Sequence, residues 1–222
     1  MRLVATEQGR VLDLVPIEEI RSNFGIYLPE LIRKVVERYE FAAGPENLAK
    51  AASEGAKFQH GHFKVNDIDV VIKELAIYND GIIVDTFNSN MSDTILDDLL
   101  VWTKQTFDTK DRISLPSRIY SSVVVADFEH DVEPILGKFM ELGKLVSKSL
   151  RSTYGWNYEY NLQRLALSVD PLVIPHLRNT QFFIERRQQI SYSTNRYYCG
   201  APLPTDQHIE LLETMEQELL SL

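Results

Sequence analysis

The strongest local signal in this sequence is a β-hairpin in the first half of the chain. The tripeptide Asn79-Asp80-Gly81 separates two runs rich in β-branched and aromatic residues, 69–78 and 82–87. Asp-Gly between such runs favours a tight turn, because both turn positions tolerate a positive φ. A helix is expected to follow, beginning at Ser92 with a hydroxyl cap and an acid in its first turn.

Short β-rich runs and helical patterns alternate along the rest of the chain. The N-terminus predicts a second hairpin, with strands at 2–6 and 10–15 and a turn at Gln8-Gly9. Period-3.6 apolar patterns and caps predict the other helices. The further strands are expected at 58–65, 119–126, 158–169, 182–187 and 190–198, and the further helices at 28–42, 45–54, 131–150 and from Thr205 onwards.

These elements predict an α+β fold, with a mostly antiparallel sheet and helices packed against it. No Pro/Gly/Ser-rich linker interrupts the chain, so we expect residues 1–222 to form a single domain. The order hairpin, extended connector, capped helix occurs twice, in 80–92 and in 188–205. A remote duplication into two similar halves would explain the repetition, but poor residue identity favours chance similarity of ordinary α+β pieces.

Composition indicates an ordinary intracellular globular protein. Hydrophobic residues make up 44% and charged residues 25% of the 222 residues, and Cys199 is the single cysteine. One thiol cannot form an internal disulfide, which favours a reducing, cytoplasmic location. The N-terminal residues lack the apolar stretch of a signal peptide, and no run is long enough to span a membrane. The net charge of −9 disfavours a dedicated nucleic-acid binder.

Two histidines and two strand-end acids are candidates for a metal site. Residues i and i+2 of a strand face the same side, so His60 and His62 could bind one ion. Asp85 and Asp127 each follow an apolar β run and are candidate catalytic ligands of a metal-dependent hydrolase, like a phosphodiesterase or nuclease. The alternative is that the histidines lie on an exposed strand and that the aspartates cap turns.

Other catalytic signatures are missing. The acids near 127–133 are explained by capping of the helix that follows them. The chain contains neither a Gly-x-Ser-x-Gly nucleophile elbow nor a phosphate-binding glycine pattern, and no cofactor is expected. Cys199 has no neighbouring histidine in sequence, so we interpret it as a small apolar residue at a strand end.

Tyrosines and arginines cluster in the second half of the chain, at Tyr158, Arg186, Arg187, Tyr192, Arg196 and Tyr197. Three interpretations are open. The aromatic rings could stack single-stranded bases, the cluster could bind a protein through the residue types enriched at interfaces, or the rings could pack in the core. Of the two binding interpretations, the protein surface is the stronger.

The C-terminal helix adds a reason to expect self-association. One apolar row, Ile209, Leu212, Met215 and Leu219, suffices to dock the helix. Leu211 and Leu220 lie outside that row and would face water unless a partner covers them. The sequence thus favours a non-catalytic protein–protein interaction or assembly subunit, whose partner could be a second copy. A metal-dependent hydrolase is the alternative, and a single-strand nucleic-acid binder is third.

Overall fold

A computed structural model of the chain describes residues 1–16, 27–65, 67–110, 117–129, 137–155, 161–168 and 181–220. It confirms the α+β class. The described elements are β1 (Arg2–Asp13), α1 (Leu28–Arg38), α2 (Leu48–Glu54), β2 (Ala56–Val65), β3 (Ile68–Tyr78), β4 (Gly81–Thr86), α3 (Ser89–Phe107), β5 (Arg118–Asp127), α4 (Gly137–Tyr154), β6 (Arg164–Leu167), β7 (Phe182–Arg186), β8 (Arg196–Ala201) and α5 (Thr205–Met215). Within these ranges no helix is long and apolar enough to cross a membrane.

The chain divides into two compact units. The N-terminal unit comprises residues 6–122 and 202–205, and the C-terminal unit comprises residues 1–5, 123–201 and 206–222. The division falls within β1 and within β5, without an intervening linker. That residues 1–222 form a single domain stays a prediction.

In the N-terminal unit, the strands lie in the order β2-β3-β4-β1 and pair antiparallel. One row across the four strands, Val11, Val84, Leu75 and Phe58, is in register and has no exposed surface. Helices α1 and α3 contribute Leu31, Val35, Ile95, Leu96 and Leu99 to the same core. Full burial of such side chains contributes about 1.5–3 kcal/mol each, so this row and the helices together form the main core of the unit.

The N-terminal hairpin predicted at Gln8-Gly9 is wrong, because β1 is one continuous strand from Arg2 to Asp13. Gly9 pairs with Thr86 of β4. A Cβ atom on Gly9 would collide with the backbone of Asn88 and Ser89. The glycine therefore permits a close backbone approach, which a sequence pattern does not distinguish from a turn.

Two predicted helix boundaries also move. Helix α1 ends at Arg38, and the following residues pair with β2: the Tyr39 carbonyl accepts from His62 N–H at 2.8 Å, and Ala42 N–H donates to the His60 carbonyl at 3.1 Å. Helix α3 begins at Ser89, capped by Asn88, three residues before the predicted start. Ser92 lies inside its first turn, where its hydroxyl donates to the Gly9 carbonyl at 2.5 Å.

The hairpin at Asn79-Asp80 is confirmed, with Tyr78 paired to Gly81. None of its turn residues has a positive φ. Gly81 is needed instead for space, since a Cβ there would lie 2.7 Å from the Asp13 carbonyl oxygen. The short helix α2 is confirmed as well, with Asn47 as its N-cap and Gly55 (φ 98°) after its last residue.

In the C-terminal unit, the strands lie in the order β5-β8-β7-β6. Its core contains Val124, Ala126, Ile184, Tyr197 and Cys199, with Leu212 of α5 against them. Three members of the predicted inward row of α5 face this core, because Ile209 and Met215 pack on it beside Leu212. The side chain of the fourth, Leu219, is not among those described. Among the described elements, each unit has one strand, then helix, then three strands, then a helix, but the N-terminal unit has two helices (α1 and α2) where the C-terminal unit has only α4. In each unit the first strand is the neighbour of the fourth.

The strand predicted at 190–198 is replaced by a loop followed by β8. Residues Tyr192–Thr194 form a 3-10 turn, and Gln189 and Asn195 on either side of it have positive φ. A run rich in β-forming residues is therefore not sufficient for a strand over the whole of 190–198. Only Arg164–Leu167 of the strand predicted at 158–169 is a strand among the described residues. Tyr158 and the predicted helix start at Asp131 lie outside the described residues.

Candidate interaction surface

One sheet face of the C-terminal unit carries arginines and aromatic rings. Strand pairing places Arg164, Glu185 and Tyr198 in one row across β6, β7 and β8. Ala166, Phe183 and Gly200 form the neighbouring row on the same face. We name the charged and aromatic members of this face, together with Arg187, the Arg–aromatic patch: Arg164, Phe183, Glu185, Arg187 and Tyr198.

The patch is a stack of two neighbouring rings with a guanidinium group at each end. The Arg164 guanidinium lies 4.4 Å from the centre of the Phe183 ring, and the Phe183 and Tyr198 rings are 5.9 Å apart at 38°. The Arg187 guanidinium lies 5.5 Å from the centre of the Tyr198 ring. Each such cation–π contact contributes about 0.5–1 kcal/mol at an exposed site, so the stack is ordered before any partner arrives.

Two further features position the stack. Arg164 donates to Gln181 Oε1 at 2.8 Å and lies 3.4 Å from a Glu185 carboxylate oxygen. A Cβ at Gly200 would collide with the Phe183 ring. Gly200 therefore leaves room for the ring to lie across β8, where it contacts Tyr198.

The structure separates the predicted interaction residues by sheet face. Arg186 and Tyr197 are 4% and 3% exposed, and they stack on one another at 5.1 Å inside the unit. Arg187 is exposed and belongs to the patch, while Arg196 is bound to Asp127. Tyr158 lies outside the described residues, and the side chains of Tyr192 and Leu220 are not among those described. Leu211 is 41% exposed on α5.

Sequence reasoning missed Arg164 and Glu185, and it did not distinguish Phe183 and Tyr198 from the buried aromatic rings beside them. The alternation of side chains along β7 and β8 was the available signal, because residues next to Arg186 and Tyr197 must point to the opposite face. Which face is buried depends on the core, which the local pattern did not reveal.

Asp127, a candidate catalytic residue, is held by two arginines within the C-terminal unit. Its carboxylate accepts from Arg196 at 2.6 and 3.0 Å and from Arg2 at 2.5 Å. The hydrogen bonds from Arg196 are the main reason that the pKa of Asp127 is lowered to about 2. A carboxylate with these partners stays ionised and oriented near neutral pH, as expected for a structural anchor.

Asp85 is buried in the N-terminal unit. Its Oδ2 atom accepts from Gln8 at 2.6 Å and from Arg10 at 3.1 and 2.8 Å. In the described part of the chain, its Oδ1 atom is buried without a hydrogen-bond partner. Arg10 therefore neutralises this carboxylate, while one lone-pair direction is left unsatisfied.

His60 and His62 are both exposed, but β2 is not regular between them. His60 has a φ of 57°, and the burial pattern of the strand shifts by one residue at this point. The rule that residues i and i+2 share a face therefore does not apply to this pair. Across the described ranges, no three His, Cys, Asp or Glu side chains are grouped so that they could hold a metal ion.

Cys199 and His208 are buried in the core of the C-terminal unit. Burial raises the pKa of the Cys199 thiol to about 12, so a thiolate is not populated near neutral pH. Cys199 packs as the small apolar residue that the sequence suggests.

Comparison with known proteins adds no family: no family model matches the chain, and a search of curated proteins finds no significant relative.

Proposed function

We propose that this chain is a non-catalytic interaction or assembly protein that binds a protein partner through the Arg–aromatic patch. The observation that supports it is the ordered stack of Arg164, Phe183, Tyr198 and Arg187 on one sheet face. Tyrosine and arginine are the residue types that most often dominate the energy of protein interfaces. A stack that is already ordered loses less side-chain entropy when a partner binds.

The chemistry of the patch suggests what the partner contributes. Aromatic rings and guanidinium groups stack against other rings, and guanidinium groups donate hydrogen bonds to carboxylates. Glu185 lies among the arginines and would repel an acid placed directly over it. We therefore expect a partner that places aromatic side chains over Phe183 and Tyr198, with polar groups at the rim.

The two other hypotheses have less support. The same stack could bind single-stranded bases, but Glu185 and the net charge of −9 oppose a polyanion. The hydrolase hypothesis needs accessible carboxylates, whereas Asp85 and Asp127 accept hydrogen bonds from arginines. We also propose a cytoplasmic location, which the single cysteine of the sequence favours because it cannot form an internal disulfide.

Site-specific photo-crosslinking in cells that express the full chain tests the proposal. Ala166 is exposed on the face of the patch, so a photoreactive residue there should give a discrete protein adduct. The control position is Ser149, which is exposed on α4. Adding Tyr198→Ala and Arg187→Ala to the Ala166 chain should abolish the adduct, and the mass of the adduct distinguishes a second copy from another protein.

Three results would contradict the proposal: no adduct at position 166, an adduct of equal yield at position 149, or an adduct that nuclease removes. The last result would favour the nucleic-acid hypothesis instead.

A further inference from the structure

The N-terminal unit contains an apolar pocket that no part of the proposed interaction uses. Its volume is about 260 Å³. Helices α1, α2 and α3 contribute Leu31, Ala52 and Leu99, and the β3–β4 hairpin contributes Ile77 and Ile82. The pocket shares no residue with the Arg–aromatic patch, which belongs to the C-terminal unit.

Small residues create the space. Ala51 and Ala52 of α2, with Gly55 and Ala56 directly after it, line one wall of the pocket. Leu48, the largest apolar residue of α2, is 47% exposed and does not fill the pocket. Gly55 is required here, since it has a φ of 98° and a Cβ there would lie 2.5 Å from the Tyr78 ring.

Among the described residues that line the pocket, none has a charged side chain. Its polar groups are the phenol of Tyr78, which is hydrogen-bonded to Lys57, the amide of Asn79, and the hydroxyls of Thr103 and Thr109. The Thr103 hydroxyl donates to the Leu100 carbonyl at 3.0 Å, so towards a ligand it acts as an acceptor. An ionised ligand would have to lose its hydration without gaining an opposite charge. A neutral ligand with one hydrogen-bonding group would instead contact the apolar side chains of the lining and hydrogen-bond to one of its polar groups.

The size of the pocket restricts the occupant further. A cavity of about 150 Å³ lined by Leu, Ile and Phe binds benzene, so 260 Å³ has room for a two-ring molecule or a short branched chain. A helix from a partner protein, about 10 Å across, does not fit. Interiors contain few voids of this size, and the apolar lining lacks contacts until the pocket is filled.

We infer that this pocket is a binding site for a small, neutral, mainly apolar molecule that carries one hydrogen-bonding group. Leu31, Ile77, Ile82 and Leu99 contact the apolar part of the ligand. The Asn79 amide and the Thr109 hydroxyl lie in the lining as partners for its polar group, and the Thr103 hydroxyl can accept a hydrogen bond from it.

The test uses 2-naphthol, a neutral two-ring phenol, as the probe, with fluorescence titration of the full chain. We expect saturable binding at one site per chain. Naphthalene-2-carboxylate, which has the same rings and a negative charge, should bind at least tenfold more weakly. Ala52→Phe should fill the pocket and weaken 2-naphthol binding at least tenfold.

Ala49→Phe is the matched control, because Ala49 is exposed on the same helix and does not line the pocket. It should bind 2-naphthol like the unmodified chain. Ala52→Leu serves if Ala52→Phe does not fold, as judged by circular dichroism.

Absence of saturable 2-naphthol binding would overturn the inference. Binding that both Ala52 variants leave unchanged would place the probe elsewhere and overturn it too, as would tighter binding of the carboxylate. None of these results bears on the crosslinking at position 166, so the two proposals fail separately.

Discussion

Burial changes the protonation of His208. Its side chain has no exposed surface and lies edge-on to the Phe182 ring, with 6.5 Å between the ring centres. Burial disfavours the charged imidazolium and lowers the pKa of His208 to about 4. The histidine is therefore a neutral core residue of the C-terminal unit near neutral pH.

The His208 pKa predicts that the chain loses stability in mild acid. The unfolded chain takes up a proton with a pKa near the ordinary value of about 6.5. It therefore binds more protons than the folded chain between that pH and about 4, and acidification favours unfolding. The free energy of unfolding should fall by about 2 kcal/mol between about pH 7 and about pH 5 through this residue alone.

Urea denaturation of the unmodified chain and of His208→Leu, each at the two pH values, measures this effect. The Leu variant should retain a smaller decrease, from the remaining groups. An equal pH dependence in both chains would show that His208 does not titrate on unfolding.

At the scale of elements, the first residues of helices α3 and α5 bond to each other. The backbone N–H of each donates to the side-chain hydroxyl of the other. Ser89 N–H donates to Thr205 Oγ1 at 3.0 Å, and Thr205 N–H donates to Ser89 Oγ at 2.7 Å. Both residues are fully buried and both belong to the N-terminal unit. Because first-turn N–H groups have no partner within their own helix, each hydroxyl satisfies a donor that would otherwise be buried alone.

A double-mutant cycle of Ser89→Ala and Thr205→Val should reveal this reciprocity. Each single change leaves a buried N–H without a partner, at a cost of about 1–3 kcal/mol in the free energy of unfolding. Residues that share a hydrogen-bond network are not additive, and a coupling of about 1 kcal/mol is expected. Thr94→Val, at an exposed position of α3, is the control and should have little effect. Additive costs for Ser89 and Thr205 would contradict the expectation.

At the scale of the whole molecule, the two units arrange their four strands in the same way, although the N-terminal unit has one more helix after its first strand. Each unit has its first strand beside its fourth, and the helix that follows each fourth strand begins with a buried hydroxyl residue, Ser89 in α3 and Thr205 in α5. The repetition noted in the sequence therefore extends to the topology of the described elements. Self-association, by contrast, stays a prediction, and exposed Leu211 on α5 is the residue on which it can be tested.

Light scattering of the full chain at roughly 50 micromolar should show a dimer or a larger assembly, because an interface of about −8 kcal/mol has a Kd near micromolar. Leu211→Glu should shift the population towards monomer, since it places a charge in an apolar contact. Gln207→Glu makes the same charge on the exposed surface of α5 one turn earlier and should leave the assembly intact. A monodisperse monomer from the unmodified chain would reject self-association.

The sequence alone was sufficient to predict the elements that depend on turn residues, caps or apolar spacing within a few residues. The Asn79-Asp80 hairpin, a short helix that ends at Glu54, and the inward positions Ile209, Leu212 and Met215 of α5 were predicted from sequence and are present. The α+β class follows from such elements, because a hairpin and an amphipathic helix must each bury one face.

Only the tertiary structure decided which residues are accessible and why certain glycines are present. Arg186 and Arg187 are neighbours in sequence, yet β7 pairing buries the first and exposes the second. Gly9 resembles a turn residue but provides clearance for Asn88 and Ser89, almost eighty positions away. The physical reason is the same in both cases. Sheet register and close packing are set by partners that are distant in sequence. Local sequence patterns therefore determined the kinds of element, whereas long-range contacts determined which side chains each face exposes.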